Sequence, residues 1–310
     1  MPRDVGWIWK TTGWYVEPPT SRDVMSVLGS IGVFSSDQRF AWRGMSSADY
    51  PLWSSLHREL GSNSTEADVR AAETQLLWEA RKWGLGTQPT GHVDDLQLLS
   101  DLQHYGIATR LMDFTNNPMT ALWFACQNPT QGSISRSGLL LALNITGWPK
   151  YSTLASPQGV TWGQLENPMG TRLQNALRVN APFVVESSNP NDRLRAQEGF
   201  FVAGKVPVKD AGLPIGTSGI RLEHVTPFLG LNVAHAYGNP ELLDTKLKAE
   251  RRRGAPGALP FVAVVIKARL KQKLLQYLEN TYNRSASVLF PDYAGFQEFG
   301  REVRSRGAVV

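Results

Sequence analysis

The sequence predicts an α+β chain with an N-terminal helical portion. Three observations carry this reading. Amphipathic stretches of helical period crowd the early part of the chain, and apolar runs of strand length come mostly later. The two never alternate as the regular β-α-β units of a doubly wound sheet.

At 310 residues the chain is long enough for a sizeable core, as one large domain or two modest ones. Hydrophobic residues make up 42% and charged residues 19%. Disorder requires the opposite balance, which excludes it for the bulk of the chain. No apolar run approaches the ~18 residues of a membrane span. Residues 1–10 hold Asp4 and two tryptophans and lack the apolar core of a signal peptide. The single cysteine, Cys126, forbids an intramolecular disulfide and a cysteine-based zinc site, so a reducing cytoplasm and no metal are expected, and the lack of a span-length apolar run leads to the expectation of no membrane partner. With 32 Lys+Arg against 27 Asp+Glu, the net charge of +5 permits an anionic partner without requiring one. Ten tryptophans, mostly core, leave some free to stack on a base.

Residues 24–33 form a short amphipathic stretch after the turn material at Pro18-Pro19. Residues 40–43 read as a strand ending at Gly44. Thr65 then caps a helix, with Asp68 three residues on, and Val69, Ala72, Leu76, Ala80 and Trp83 recur at helical spacing before Gly84 and Gly86 stop it. A second helix covers residues 94–105, with Leu96, Leu99 and Leu102 inward and Gly106 as its stop. Residues 109–115 are extended. Asn117-Pro118 opens a third helix, a cap followed by proline at the first position, with Met119, Leu122, Trp123 and Cys126 as its buried stripe. Strand-length apolar runs cover residues 139–145, 183–185, 200–203 and 261–266. Asn239-Pro240 starts a helix that decays into Arg251-Arg252-Arg253, and Leu270, Leu274, Leu275 and Leu278 mark one face of another.

Familiar chemistry is mostly excluded. No Gly-Lys-Ser/Thr follows a glycine loop, and no strand leads into a three-glycine fingerprint. The five histidines, His57, His92, His104, His224 and His235, lack metal-ligand spacing. No glycine-flanked nucleophilic serine is present.

Three segments remain. Trp42-Arg43-Gly44 puts an arginine at a strand end, where a guanidinium either grips a phosphate bidentately or simply meets solvent. Residues 104–115 crowd His104, Tyr105, Thr109, Arg110, Asp113 and Thr115 into one connection between helices. That density means a binding loop or an internal network, with Arg110 and Asp113 as a buried ion pair. Residues 193–201 run from charged residues through Gln197-Glu198-Gly199 into an apolar strand, so one of the two polar side chains faces a cleft or Glu198 is solvated. Alternation along a strand gives the cleft either Gln197 or Glu198, not both.

Together these segments resemble the FRG domain, a bacterial family named for a Phe-Arg-Gly signature that is Trp42-Arg43-Gly44 here. The resemblance is densest through Leu102-Gln103-His104-Tyr105-Gly106, then Thr109 to Thr115, Pro118, and Ala121-Leu122-Trp123-Phe124-Ala125. Gln197 to Phe201 is similar to the family's glutamine-x-glycine element, and Leu289-Phe290-Pro291-Asp292 to its closing element. This implies an N-terminal extension over 1–39, the domain over 40–296, and a basic tail over 297–310.

More distantly, the order of Arg43, Thr115 and Glu198 resembles the NAD site of ADP-ribosyltransferases. That likeness implies a split, mostly antiparallel sheet whose cleft clamps the nicotinamide end of NAD. It implies Arg43, Gly44, Tyr105, Thr109, Arg110 and Thr115 as binding residues, with Thr115 bonded to Glu198. Glu198, Gln197 and Arg43 would be catalytic, a carboxylate stabilising the positive charge that develops on the ribose. The implied activity is an NAD-dependent toxin of a toxin–antitoxin or antiphage system, with an antitoxin partner. Its target would be RNA or DNA in preference to protein. Lys246, Lys248, Arg251 to Arg253, Arg301, Arg304 and Arg306 are basic clusters suited to nucleic acid or to solvent. A non-catalytic nucleotide- or partner-binding module and an NAD glycohydrolase are the alternatives.

Overall fold

The computed structural model describes residues 15–34, 36–61, 63–89, 91–128, 136–152, 172–178, 181–187, 190–206 and 261–299. The expected helix after Asn239-Pro240 and the basic residues Lys246, Lys248, Arg251 to Arg253, Arg301, Arg304 and Arg306 lie outside the described residues.

β1 (Tyr15–Val16) is followed by α1 (Ser21–Phe34), which starts where the Thr20 and Asp23 side chains bond each other's backbone N–H. Its inward stripe is Val24, Leu28 and Ile31. Next come β2 (Phe40–Met45), α2 (Ser55–Leu60) and α3 (Glu66–Lys82). The expected capping box at Thr65 and Asp68 is present. The inward face of α3 is rotated from the expected one, to Val69, Glu73, Leu77, Ala80 and Arg81, and Trp83 is 83% exposed. The reason is electrostatic. Glu73 and Arg81 are buried because each finds an opposite charge on another element, Arg110 at 2.7 Å and Asp95 at 2.6 Å.

A small ribbon, β3 (Thr87–Gln88) and β4 (Gly91–His92), leads to α4 (Asp95–His104), capped by Asp94 and stopped at Gly106 with φ 79°. β5 (Met112–Thr115) feeds α5 (Pro118–Cys126), whose N-cap Asn117 accepts from the Met119 and Thr120 N–H groups. The remaining described elements are β6 (Gly138–Asn144), β7 (Lys150–Ser152), α6 (Arg172–Arg178), β8 (Phe183–Glu186), α7 (Asp192–Ala196), β9 (Gly199–Ala203), β10 (Phe261–Ile266), α8 (Ala268–Tyr282), α9 (Ala286–Leu289) and α10 (Tyr293–Phe299).

Eight of the ten described strands form one sheet in the order β1-β10-β6-β2-β5-β9-β8-β7, antiparallel throughout except at the two edge pairs. The fold is therefore α+β on a mixed, mostly antiparallel sheet. Two cores flank it. α1, α5 and α8 pack with Phe200 and Val202 on one side, while α3, α4 and α6 pack with Phe201 and Ala203 on the other. Because β1 joins the sheet and α1 the first core, the segment read as an N-terminal extension contributes to the domain itself from Tyr15 onward. At the other end, Phe299 packs on the same core, beyond the expected boundary at 296.

Gly44 lies inside β2 and does not end it. A Cβ there would collide with the Ala121 carbonyl and the Ala125 amide of α5, and one at Gly138 would collide with the Ala125 carbonyl. These two glycines let α5 lie directly on the backbone of β2 and β6.

Candidate functional site

β2 and β5 share one paired position, Trp42 opposite Thr115, and Thr115 is in turn opposite Gly199 of β9. Three segments distant in sequence thus meet in one row of the sheet. Beyond Trp42 the two strands part, and the Asp113 carbonyl of β5 accepts a hydrogen bond from Arg43 Nη1 in place of a ladder partner. A cleft of about 690 Å³ opens there, bounded by β2, β5, the end of α4, the start of α5, α7, and the 290–294 segment.

Arg43 is half-buried on the cleft wall, its guanidinium 5.8 Å from the Phe114 ring centroid. Among the described residues it forms no ion pair, and its Nε has no hydrogen-bond partner. Desolvation pulls its pKa down, Asp113 pulls it up, and the like charge of Arg58 lowers it. On the same wall, fully buried Thr120 Oγ1 also has no partner among the described residues. A guanidinium without a counter-charge beside a cleft is chemically suited to an anion.

Gln197 also lines the cleft. Its Nε2 donates to the Leu289 carbonyl at 3.1 Å, which fixes the amide and leaves Oε1 as an acceptor. The expectation that Gln197 and Glu198 alternate along a strand is corrected. Asn191 caps α7, Gln197 ends it, and Glu198 makes the turn into β9 with φ 52°. The Glu198 carboxylate accepts from Asn117 Nδ2 at 2.7 Å and Arg284 Nη2 at 2.8 Å, and Glu198 is not part of the cleft lining. Thr115 lines the cleft but donates to the Gln197 carbonyl at 2.7 Å and not to Glu198, so it positions Gln197.

Gly44 and Tyr105 border the cleft, Tyr105 being 79% exposed. Thr109 and Arg110 do not. Thr109 is fully buried and donates to Gln103 Oε1, while Arg110 Nε donates to Glu73 at 2.7 Å and its Nη1 to Glu66 at 3.2 Å. The internal pairing expected with Asp113 is therefore made with two glutamates of α3 instead, while Asp113 accepts from Gln103 of α4.

Several cleft residues are not among those expected to bind or catalyse: Gln103, His104, Asp113, Arg193, Asp292 and Tyr293. Arg193 and Asp292 form a bidentate pair at 2.8 and 2.9 Å that ties α7 to the C-terminal segment, stacked at 4.8 Å on Phe290. The bond from Arg193 holds Asp292 below the usual carboxylate range. Burial and the charge of Arg193 press His104 toward the neutral form, against Asp292, Asp101 and Asp113. Asp113 accepts from Gln103 Nε2 at 3.0 Å and, of the two carboxylates on the wall, is the one without an arginine ion pair. The motif signal was present for Gln103, His104 and Asp292, which lie in segments already resembling family elements. Burial pushes the Cys126 thiol up to about 12, so it is no nucleophile at neutral pH. Among the described residues no group of three or more His, Cys, Asp or Glu could hold a metal, and no helix is long and apolar enough to cross a membrane.

Residues 38–133 match the FRG domain. No curated protein and no solved structure matches the chain. The FRG match carries Arg43, His104, Tyr105, Asp113, Thr115 and Thr120, the β2, α4, β5 and α5 walls of the cleft. Gln197, Arg193 and Asp292 close it from outside the FRG segment.

Proposed function

We propose that the cleft binds NAD and that the protein transfers its ADP-ribose to a macromolecule. The observation that carries this is the unpaired guanidinium of Arg43 in the same cleft as Thr115 and Gln197, on three neighbouring strands or their entrances. Arg43 holds the pyrophosphate with the part of its guanidinium that the Asp113 carbonyl does not occupy. Tyr105 offers an exposed ring for the nicotinamide. In the reaction the bond between the nicotinamide nitrogen and ribose C1′ breaks, its electron pair leaving on nicotinamide. C1′ then accepts an oxygen or nitrogen lone pair of the acceptor, whose proton goes to solvent or a nearby base. The developing charge on the ribose is met by the Asp113 carboxylate, and Gln197 Oε1 accepts from a ribose hydroxyl. A preorganised contact of this kind is worth about 2.7–4 kcal/mol in the transition state. Nucleic acid is the preferred acceptor on the strength of the net charge of +5 and the tryptophan content. A toxin held in check by an antitoxin is the biological setting that fits such an activity.

One observation favours a second reading, a nucleotide-binding module without chemistry. The Glu198 carboxylate, the acid that a transferase of the resembled type would use, is held by Asn117 and Arg284. Incubation with adenylate-labelled NAD and RNA, DNA or lysate separates the readings. Label on a macromolecule supports transfer; nicotinamide release without transfer makes the protein a glycohydrolase; intact NAD makes it a binding module.

A further inference from the structure

Arg43 borders two cavities. Besides the cleft, a second cavity of about 520 Å³ is lined by Arg43, Gly44, Phe124 and Phe290, which it shares with the cleft, and by Arg58. An aromatic cluster forms its apolar side: Trp123 lies with ring centroid 5.2 Å from Phe124 and 6.1 Å from Phe299. Arg58 is steered by a hydrogen bond from its Nη1 to the Trp53 carbonyl at 2.6 Å, and it makes no ion pair among the described residues. Arg58 and Arg43 line the same cavity, so a single ligand there meets both charges. Glu298 is the acidic residue of this cavity.

Two guanidiniums held near each other without an ion-pair partner are stabilised by an anion placed between them. Flat aromatic walls beside a cationic rim complement a nucleobase attached to phosphate. A dinucleotide has this shape twice over, two ring systems joined by a pyrophosphate, and here two cavities meet at one arginine.

We propose that the second cavity receives the adenosine diphosphate half of the dinucleotide, with the pyrophosphate between Arg43 and Arg58 and the adenine against Trp123, Phe124 and Phe299. This assignment rests on NAD as the ligand of the cleft and places only the nicotinamide riboside there. Glu298 is then available to the hydroxyls of the adenosine ribose.

The test is calorimetric titration of the full chain with NAD, ADP and nicotinamide riboside, each separately, in wild type, Arg58→Ala and Arg58→Lys. Wild type is expected to bind ADP with nicotinamide riboside already bound. Arg58→Ala should weaken ADP roughly tenfold or more, the worth of a charge-assisted hydrogen bond. Arg58→Lys should fall between, and nicotinamide riboside affinity should not change in either. Unchanged ADP affinity in a folded Arg58→Ala protein, or mutual displacement of the two ligands, overturns the assignment. Should Arg58→Ala not fold, Arg58→Lys and the wild-type competition decide alone. NAD binding without ADP binding also overturns it and leaves the NAD reading standing; a protein that binds none of the three ligands refutes both.

Discussion

Trp42 and Thr115 meet at the single paired position between β2 and β5. Past it, β5 keeps its ladder with β9, but the Asp113 carbonyl faces a gap toward β2 and is taken by the Arg43 guanidinium. The site is thus a place where the sheet stops being a sheet. A side chain replaces a backbone partner, and the space between the strands becomes a cleft.

Gly44 tests how tightly this opening is built. Gly44→Ala pushes a methyl into the Ala121 carbonyl and the Ala125 amide, atoms that no rotamer change can move. The expected cost is about 1–3 kcal/mol of stability or more, read as a lower urea midpoint at unchanged slope.

Arg110 is a framework residue. Its side chain is buried against Glu73 and Glu66 and bonds the Gly204 carbonyl, fastening α3 to the sheet. Arg110→Ala strands two glutamates and should destabilise the fold by about 3–5 kcal/mol. At a temperature where the variant is still folded, its NAD affinity should match that of the wild type. A selective loss of affinity at full stability would make Arg110 a ligand residue instead.

His104 gives the fold a pH dependence. Its pKa in the folded state lies below the ordinary 6.5, chiefly through burial and then through Arg193. The unfolded chain therefore takes up the proton first, and stability is lost as pH falls below 6.5 and through the lowered folded value. His104→Gln should flatten that part of the profile, measured as melting temperature against pH. Asp292 acts further down. Arg193 depresses its pKa, so its contribution is present above the ordinary 3.8 and disappears on stronger acidification.

Gln197 and Glu198 should separate function from framework. Gln197→Ala removes the acceptor on the cleft wall and is expected to lower NAD turnover roughly a hundredfold, the scale of losing one transition-state hydrogen bond. Glu198→Gln keeps the hydrogen bond from Asn117 and loses only a half-exposed ion pair with Arg284, worth about 0–1 kcal/mol. Its turnover should stay within about threefold of wild type, a barrier change of under 1 kcal/mol. The reverse ranking would assign the chemistry to Glu198.

The parts legible in the sequence are those decided locally. Thr65 with Asp68, Asn117 with Pro118, and Gly106 each mark a helix end through contacts within a few residues, and all three act as expected. The apolar run 261–266 is a strand of the same span because it is buried throughout in the middle of one core. The rest depends on partners from elsewhere. β1 and β7 exist because β10 and β8 offer them an edge. The burial of Glu73 and Arg81 needs Arg110 and Asp95, which the periodicity of one helix cannot contain. Of the candidate site, Arg43, Gly44, Tyr105, Thr115 and Gln197 reach the cleft, while Thr109, Arg110 and Glu198 brace it. The one-residue difference between Gln197 and Glu198 is set by the turn at the end of α7, a conformation with positive φ on a non-glycine residue that the surrounding bonds hold in place.

The account stands or falls with Arg43 as the residue that holds the pyrophosphate of NAD where the cleft and the second cavity meet. Titration of NAD into wild type and Arg43→Ala, with folding of both verified by their melting curves, tests it directly. Saturable one-to-one binding in wild type, weakened by roughly tenfold or more in the variant, is the expected result. Equal affinity in the two proteins, or no NAD binding by wild type, would contradict it.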